Sequence, residues 1–391
     1  MSNLKITNIE AFPYALPTRR KFRWASLKDQ IGGFVFVKIE TNEGIIGYGE
    51  ATPSPDWGGD FNRYGGNTLN AVCDVILNVI KPLLLGTDPT NVAQAHMVME
   101  KYIRANSYAK CAVDIALYDI WGKMTNQPVY QLLGGKVREK LPIAHMIGIM
   151  SLEEAVEEAK LCYQEGMRAF QIKGGEDFKR DIKVVKALRE EFGEDVWLRL
   201  DANKGYGEVK TALNVLRKMT DKSGLPLLDM VEQPVGGLRE MSIITDKISM
   251  KTITDESTWN VSDAFESINM RASDAISIYI GKAGGLYEAQ KVAMLAHAYN
   301  IPCDINGIES SIGNAANLHF ALSQPSHTIP CVITMNAPEG KHHYKYGGHF
   351  YSDDICVEAF PVADGCLLPL EGPGLGIEID LEKINKYRLD K

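Results

Sequence analysis

From residue 141 onward, short apolar strand candidates alternate with helical stretches, and this rhythm limits the fold more than any other feature of the chain. The strand candidates are LPIAHMIG (141–148), AFQIKGG (169–175), VWLRLDAN (196–203), LLDMVEQP (227–234), KTITDES (251–257), AISIYIG (275–281), IPCDING (301–307) and IPCVITM (329–335). Helical patterns such as SLEEAVEEAKLCYQEG (151–166) and GLYEAQKVAMLAHAYN (285–300) lie between them. Eight strands joined by helical crossovers predict an α/β fold of the (β/α) barrel kind. A doubly wound open sheet is the alternative. No GxGxxG follows a strand, so a nucleotide-binding fold gains no support.

The rest of the chain reads differently. Residues 4–15 and 34–50 predict strands, the second region being a hairpin turned at TNEG. Helical pattern runs from 67 to about 133 and stops at Pro128 and Gly134–Gly135. Two loops rich in Gly, Pro, basic and aromatic residues, 17–33 and 52–66, interrupt this N-terminal part and are expected to form a lid. The tail after 350 reads as strand, turn and strand. The predicted organisation is an α+β capping domain (1–135), a barrel (136–350) and a C-terminal segment (351–391) that packs back on the capping domain.

Bulk properties exclude several classes. A chain of 391 residues exceeds one ordinary core. Its net charge is −8 with no dense Lys/Arg block, which argues against a nucleic-acid partner. No apolar run reaches the roughly 20 residues needed to cross a bilayer, and the N-terminus lacks a signal peptide's apolar core. Seven dispersed cysteines without a CxxC argue for reduced thiols and a cytoplasmic protein.

The strand ends carry the chemistry. Lys173, in MRAFQIKGG, is followed 28 residues later by Asp201, then at intervals of 31, 23 and 24 by Glu232, Asp255 and Tyr279. One βα unit takes about that much chain, so a barrel brings all five to one rim, where barrel enzymes carry their chemistry. Three acids on successive strands repel one another unless a cation joins them. Carboxylate oxygens without Cys or His favour Mg²⁺, with Mn²⁺ as a substitute. Each acid alone could equally cap the next helix; the three together point to metal. Asn203 is expected to support them by hydrogen bonding, and Glu256 to point away. A free lysine, with pKa about 10.4, is too weakly acidic to be a neutral-pH base. Burial and a nearby cation are expected to lower it, leaving Lys173 to take the proton alpha to a carboxylate.

These residues, with VDIALYDIWGK and PVYQLLGG (113–135), IKGG, LDAN, VEQP, TDES, GKAGGL (281–286), IESSIGNAA (308–316) and GPGLGIEID (372–380), resemble the enolase superfamily, muconate-lactonizing/mandelate-racemase type, over nearly the whole chain. The resemblance implies a modified TIM barrel, (β/α)7β, with a capping domain. It implies metal on Asp201, Glu232 and Asp255, a base on Lys173, loops that close over the barrel, and a homo-oligomer. It also exposes departures. The usual Lys-x-Lys on the second barrel strand is here Gln171-x-Lys173. Tyr279 stands where a lysine usually ends the sixth strand, with Lys282 three residues on in the loop. The histidine that mandelate-racemase-like members carry near the seventh strand's end is absent; Asp304, Asn306 and Glu309 are there instead.

An asymmetric Lys173–Tyr279 pair suits loss of an alpha proton and a beta hydroxyl better than proton transfer on both faces. Dehydration of a small hydroxylated carboxylate, either a sugar acid or a hydroxylated amino acid such as a hydroxyproline, is therefore the first expectation. Racemisation, epimerisation, cycloisomerisation or a catalytically degraded binding protein are the alternatives. For substrate contacts the expectations are Arg23 from the basic run TRRKFRW, walls of Trp24, Trp57 and Tyr64, and polar contacts from Asn203, Asp304, Asn306 and Glu309. Asp304 is the expected partner of an amino group.

Overall fold

The structure, a computed structural model, describes residues 4–27 and 31–391. Residues 28–30 of the first loop lie outside the described residues.

Three antiparallel strands, β1 (Ile6–Ala15), β2 (Gly33–Thr41) and β3 (Ile46–Ala51), form the N-terminal sheet. The β2–β3 hairpin turns at the predicted TNEG. A long helix, α1 (Ser107–Thr125), is buried along most of its length and packs against β3. The contact is so close that a Cβ on Gly49 would come within 1.8 Å of the Ala112 carbonyl oxygen. Only glycine allows the sheet to approach that helix.

The barrel strands are β4 (Ala144–Ile147), β5 (Ala169–Lys173), β6 (Trp197–Asp201), β7 (Met230–Glu232), β8 (Lys251–Thr254), β9 (Ala275–Ile278) and β10 (Cys303–Ile305). They pair in parallel in chain order. The ring is completed by residues 331–332, which bridge both edges: Ile143 pairs with Cys331 and Asn306 with Val332. Helices Leu152–Gln164, Phe178–Phe192, Val209–Leu216, Leu238–Lys247, Val261–Met270, Leu286–Ala298 and Ser311–Ser323 cross between successive strands. This is a modified TIM barrel with capping elements: the strand–helix rhythm predicts the barrel, and the family resemblance implies its modified, capped form. The strands read as apolar runs because both faces are buried, one against the helices and one inside the barrel.

Local signals explain the crossovers. Ser151 caps its helix through Glu154 N–H, and Glu154 returns the bond, forming a capping box. Asp177 accepts from Lys179 and Arg180 N–H at the start of the next crossover helix. Between these, Gly175 turns the chain at φ +97°, with the Ala202 carbonyl oxygen 2.3 Å from where a Cβ would lie. That glycine lets Lys173 end its strand beside Asp201.

The tail forms a short hairpin, Val362–Ala363 with Cys366–Leu367, which pairs onto Leu141–Pro142. Farther on, Leu389 N–H donates to Pro13 O on β1. A helix at Leu381–Tyr387 adds to the expected strand–turn–strand. Among the described residues, no helix is long and apolar enough to cross a membrane.

Candidate active site

Register fixes the rim. Lys173, Asp201 and Glu232 are direct partners across β5, β6 and β7. Asp255 follows β8, and Tyr279 follows β9. Round the closed ring, β5 and β9 are four strands apart in either direction. Lys173 and Tyr279 therefore flank the barrel mouth from opposite sides, with the three carboxylate-bearing strands on one arc between them.

The carboxylates are buried and each meets side-chain donors. Asp201 Oδ2 accepts from Lys173 Nζ at 2.5 Å and from Gln171 Nε2 at 3.1 Å. Glu232 accepts from Gln171 Nε2 at 2.9 Å and Asn306 Nδ2 at 3.3 Å. Asp255 accepts from Lys282 Nζ, which also donates to the carbonyls of Asp255 and Ser277. Burial, followed by repulsion from Asp201, holds Glu232 well above the usual carboxylate range. Burial also raises Asp255, although Lys282 opposes it. Among the described residues, no three His, Cys, Asp or Glu side chains converge as a ready cluster of metal ligands. The donor set is nonetheless all oxygen and mutually repelling, the chemistry that a hard divalent cation relieves.

Strained backbone follows two of these acids. Asn203 sits at φ 45° and Gln233 at φ 37°, conformations costly for residues other than glycine and concentrated at functional sites. Gln233 Oε1 accepts from Asp255 N–H at 2.8 Å, so it ties the loop after β7 to the loop carrying Asp255.

Several expectations need correction. Glu256 does not point away. Its Oε1 accepts from Asn203 Nδ2 at 3.3 Å, and burial followed by Asp255 and Asp201 pushes it up to about 8. Strand alternation fails here because the chain has already left β8. Burial pulls Lys173 down, but the charges of Asp201 and Glu232, which a cation would offset, outweigh that here and hold it above its ordinary value. Lys282 is not in an open loop; it lies on a helical turn, Ile280–Ala283, and is buried against Asp255. Asp304 faces the barrel interior and pairs with Arg199, which also reaches Glu232 Oε2 at 3.3 Å. It is not a wall of the cavity.

The expected substrate contacts divide in the same way. A cavity of about 860 Å³ opens over the rim, lined by Trp24, Trp57, Lys173, Asn203, Tyr279, Asn306 and Glu309 among others. Arg23 is not among them: it is exposed and pairs with Glu176 at 2.6 Å. Its neighbours Arg19 and Arg20 both reach Glu158, which His145 also contacts at 2.8 Å, so the basic run anchors its loop to the barrel. Tyr64 is an anchor too. Its hydroxyl donates to Asp263 at 2.6 Å and accepts from Asn260, and its ring stacks on Trp259 at 4.7 Å. Tyr279 contacts Trp57, with ring centroids 5.7 Å apart. Burial, followed by Asp255 and Glu232, raises its pKa well above 10, so the phenol keeps its proton.

Gln171, Arg199, Lys282 and Glu256 are the polar neighbours whose roles residue spacing missed. The signal available was their inward register: Gln171 and Arg199 sit two residues before Lys173 and Asp201, on the same face of their strands.

Fold and rim together define a capped barrel enzyme acting on a carbon acid. Comparison identifies the group. Residues 10–134 match the family described as Mandelate racemase / muconate lactonizing enzyme, N-terminal domain, and residues 154–384 match Enolase C-terminal domain-like. The chain belongs to this branch of the enolase superfamily. It is 34% identical over 326 residues to N-succinyl-L-Arg/Lys racemase of Bacillus cereus, covering 82% of this chain and 85% of that one. It is likewise 34% identical to L-Ala-D/L-Glu epimerase of Bacillus subtilis, covering 82% and 86%. The crystal structure of muconate lactonizing enzyme from Pseudomonas fluorescens superposes with a TM-score of 0.88 at 27% identity, covering 99% of this chain and 100% of that one.

Proposed function

We propose that Lys173 is the single amine base of this enzyme and that it works on one face of a carboxylate substrate, removing the alpha proton and assisting loss of a beta hydroxyl. The observation that carries this reading is the Lys173–Tyr279 arrangement across the barrel mouth. A racemase of the two-base kind needs a second proton carrier on the opposite face. Tyr279, raised by burial and neighbouring charge, is a hydrogen-bond donor there and a poor proton acceptor.

Asp201, Glu232 and Asp255 are assigned as the residues that would hold Mg²⁺ or Mn²⁺. When bound, the cation supplies counter-charge for the substrate carboxylate as its alpha carbon loses a proton. Lys173 then does the proton work. With a cation offsetting the Asp201 and Glu232 charges that hold its proton here, the amine would be neutral and would take the alpha proton; the C–H electron pair becomes the new Cα=Cβ bond, and the Cβ–O bond breaks. The proton now on Lys173 passes to the departing hydroxide, so water leaves and the amine is restored. Asn203, bonded to Lys173 through Oδ1 at 3.4 Å, orients the amine. Tyr279 holds the opposite face of the substrate.

A second reading, isomerisation, is favoured by the relatives, whose names describe racemases, epimerases and cycloisomerases. Cycloisomerisation fits a lone Lys173; racemisation requires Tyr279 to move a proton. Proton NMR on a panel of beta-hydroxy acids separates these readings. Dehydration gives an alkene, or its keto or imine tautomer where the alpha carbon carries oxygen or nitrogen, and consumes the alpha proton. A product of inverted configuration with the hydroxyl retained would replace this reading with the isomerase one.

A further inference from the structure

Taking Lys173 as the base, the cavity above it also constrains what the rest of the substrate carries. Among its described lining residues Lys173 is the lone cation, and it is already bonded to Asp201. Against it stand three acids, Asp56, Glu309 and Asp390. Asp390 is paired with Arg388, and Asp56 accepts from Ser54 at the exposed end of the second loop. Glu309 differs from both. It is 7% exposed, its Oε2 accepts from Asn317 Nδ2 at 3.0 Å, and among the described residues no cation pairs with it. Burial pushes its carboxyl up to about 7. A buried carboxylate without a cation is costly, and a ligand cation is one way to offset that cost.

Aromatic rings line the same cavity, and one of them, Tyr279, already carries Lys282 Nζ 4.7 Å from its centroid. Tyr108, Trp57 and Tyr279 line the cavity, and Glu309 is among the charges that raise both tyrosines. Aromatic faces attract cations, by about 0.5–2 kcal/mol depending on desolvation. A sugar acid brings no positive charge to such a wall.

We propose that the substrate bears a positively charged nitrogen seated between Glu309 and the rings of Tyr108 and Trp57, which makes it an amino or imino acid and not a sugar acid. The proposal rests on the one-base reading above, but its test is separate. Calorimetric titration of the Mg²⁺-loaded protein with two ring carboxylates of matched shape isolates the charge: proline has a ring ammonium and tetrahydrofuran-2-carboxylate a ring oxygen. The expected result is proline binding at least 10-fold tighter, about 1.4 kcal/mol. Glu309→Gln should remove that preference and leave the oxygen analogue's affinity unchanged. Should Glu309→Gln not fold, Trp57→Leu, in the loop over the cavity, should reduce the preference in the same direction. Equal binding of the two acids, binding of neither, or a preference that survives both substitutions overturns the subsite. Alpha-proton exchange that persists in Lys173→Ala would overturn the base assignment instead, leaving the binding result to stand.

Discussion

Lys173 Nζ donates to Asp201 Oδ2 across 2.5 Å, so the candidate base and a candidate metal ligand hold each other on adjacent strands. The lysine thus carries its proton on a hydrogen bond to the carboxylate for which a cation would compete.

Gln171 shares that carboxylate. Its amide nitrogen spans Asp201 and Glu232, holding the two acids in register. Groups that orient metal ligands typically contribute 10–100-fold to metal affinity. Gln171→Leu is therefore expected to weaken Mn²⁺ binding by about that factor, read by electron paramagnetic resonance of free Mn²⁺. Unchanged affinity would show that the amide does not position the acids.

At the opposite side, removing the Tyr279 hydroxyl should cost one hydrogen bond. Tyr279→Phe is expected to lower kcat/KM by about 2–10-fold, the range of 0.5–1.5 kcal/mol, while alpha-proton exchange persists. Tyr279→Lys places a second amine across from Lys173 and should introduce exchange on both faces, detected as loss of configuration in recovered substrate. A drop of 1,000-fold or so in Tyr279→Phe, a scale typical of lost general acid–base catalysis, would mean that the phenol transfers a proton.

Beneath the rim, Arg199 joins Asp304 and Glu232 inside the barrel, with all three side chains fully buried. Breaking a buried ion pair from one side typically costs about 3–5 kcal/mol. Arg199→Met should destabilise the protein by roughly that much in urea unfolding, and adding Asp304→Leu should recover part of the loss. Full stability in the single variant would contradict the pairing.

His319 gives a pH prediction. Its Nδ1 accepts from Tyr130 N–H at 3.4 Å, its Nε2 donates to Leu375 O at 3.0 Å, and burial lowers it to about 4. The unfolded chain binds this proton near 6.5, so stability is lost as pH falls from about 6.5 toward 4. Between pH 7 and 5 the contribution is on the order of 2 kcal/mol. His319→Gln should remove about 2 kcal/mol of the stability lost between those pH values, measured by denaturant melts at both, with His327 and His349, also lowered by burial, supplying further loss. An unaltered profile would show that the folded state accepts the imidazolium.

How much of this was legible in the sequence depends on the reach of each residue. Lys173, Asp201, Glu232, Asp255 and Tyr279 announce themselves because strand ends recur at βα spacing. Direction beyond a strand end does not follow from alternation, so Glu256 turned inward unseen. Long side chains also escape local reasoning. Lys282 reaches back from a helical turn to Asp255, and Arg19 and Arg20 find Glu158, well over 100 residues away in sequence. Asp304 looked like a substrate contact because its strand end is polar, yet it sits within β10, one inward position below Asn306, where Arg199 meets it. Tyr64 was readable as an aromatic of the second loop, but its partners Asp263 and Asn260 come from a crossover about 200 residues later.

Solvent deuterium incorporation at the alpha carbon tests the central claim most directly. With the Mg²⁺-loaded protein and a substrate that it turns over, wild type should wash in deuterium on one face. Lys173→Ala should lose that exchange by 100-fold or more while binding Mn²⁺ as tightly as wild type. Exchange at the wild-type rate in Lys173→Ala would contradict the account.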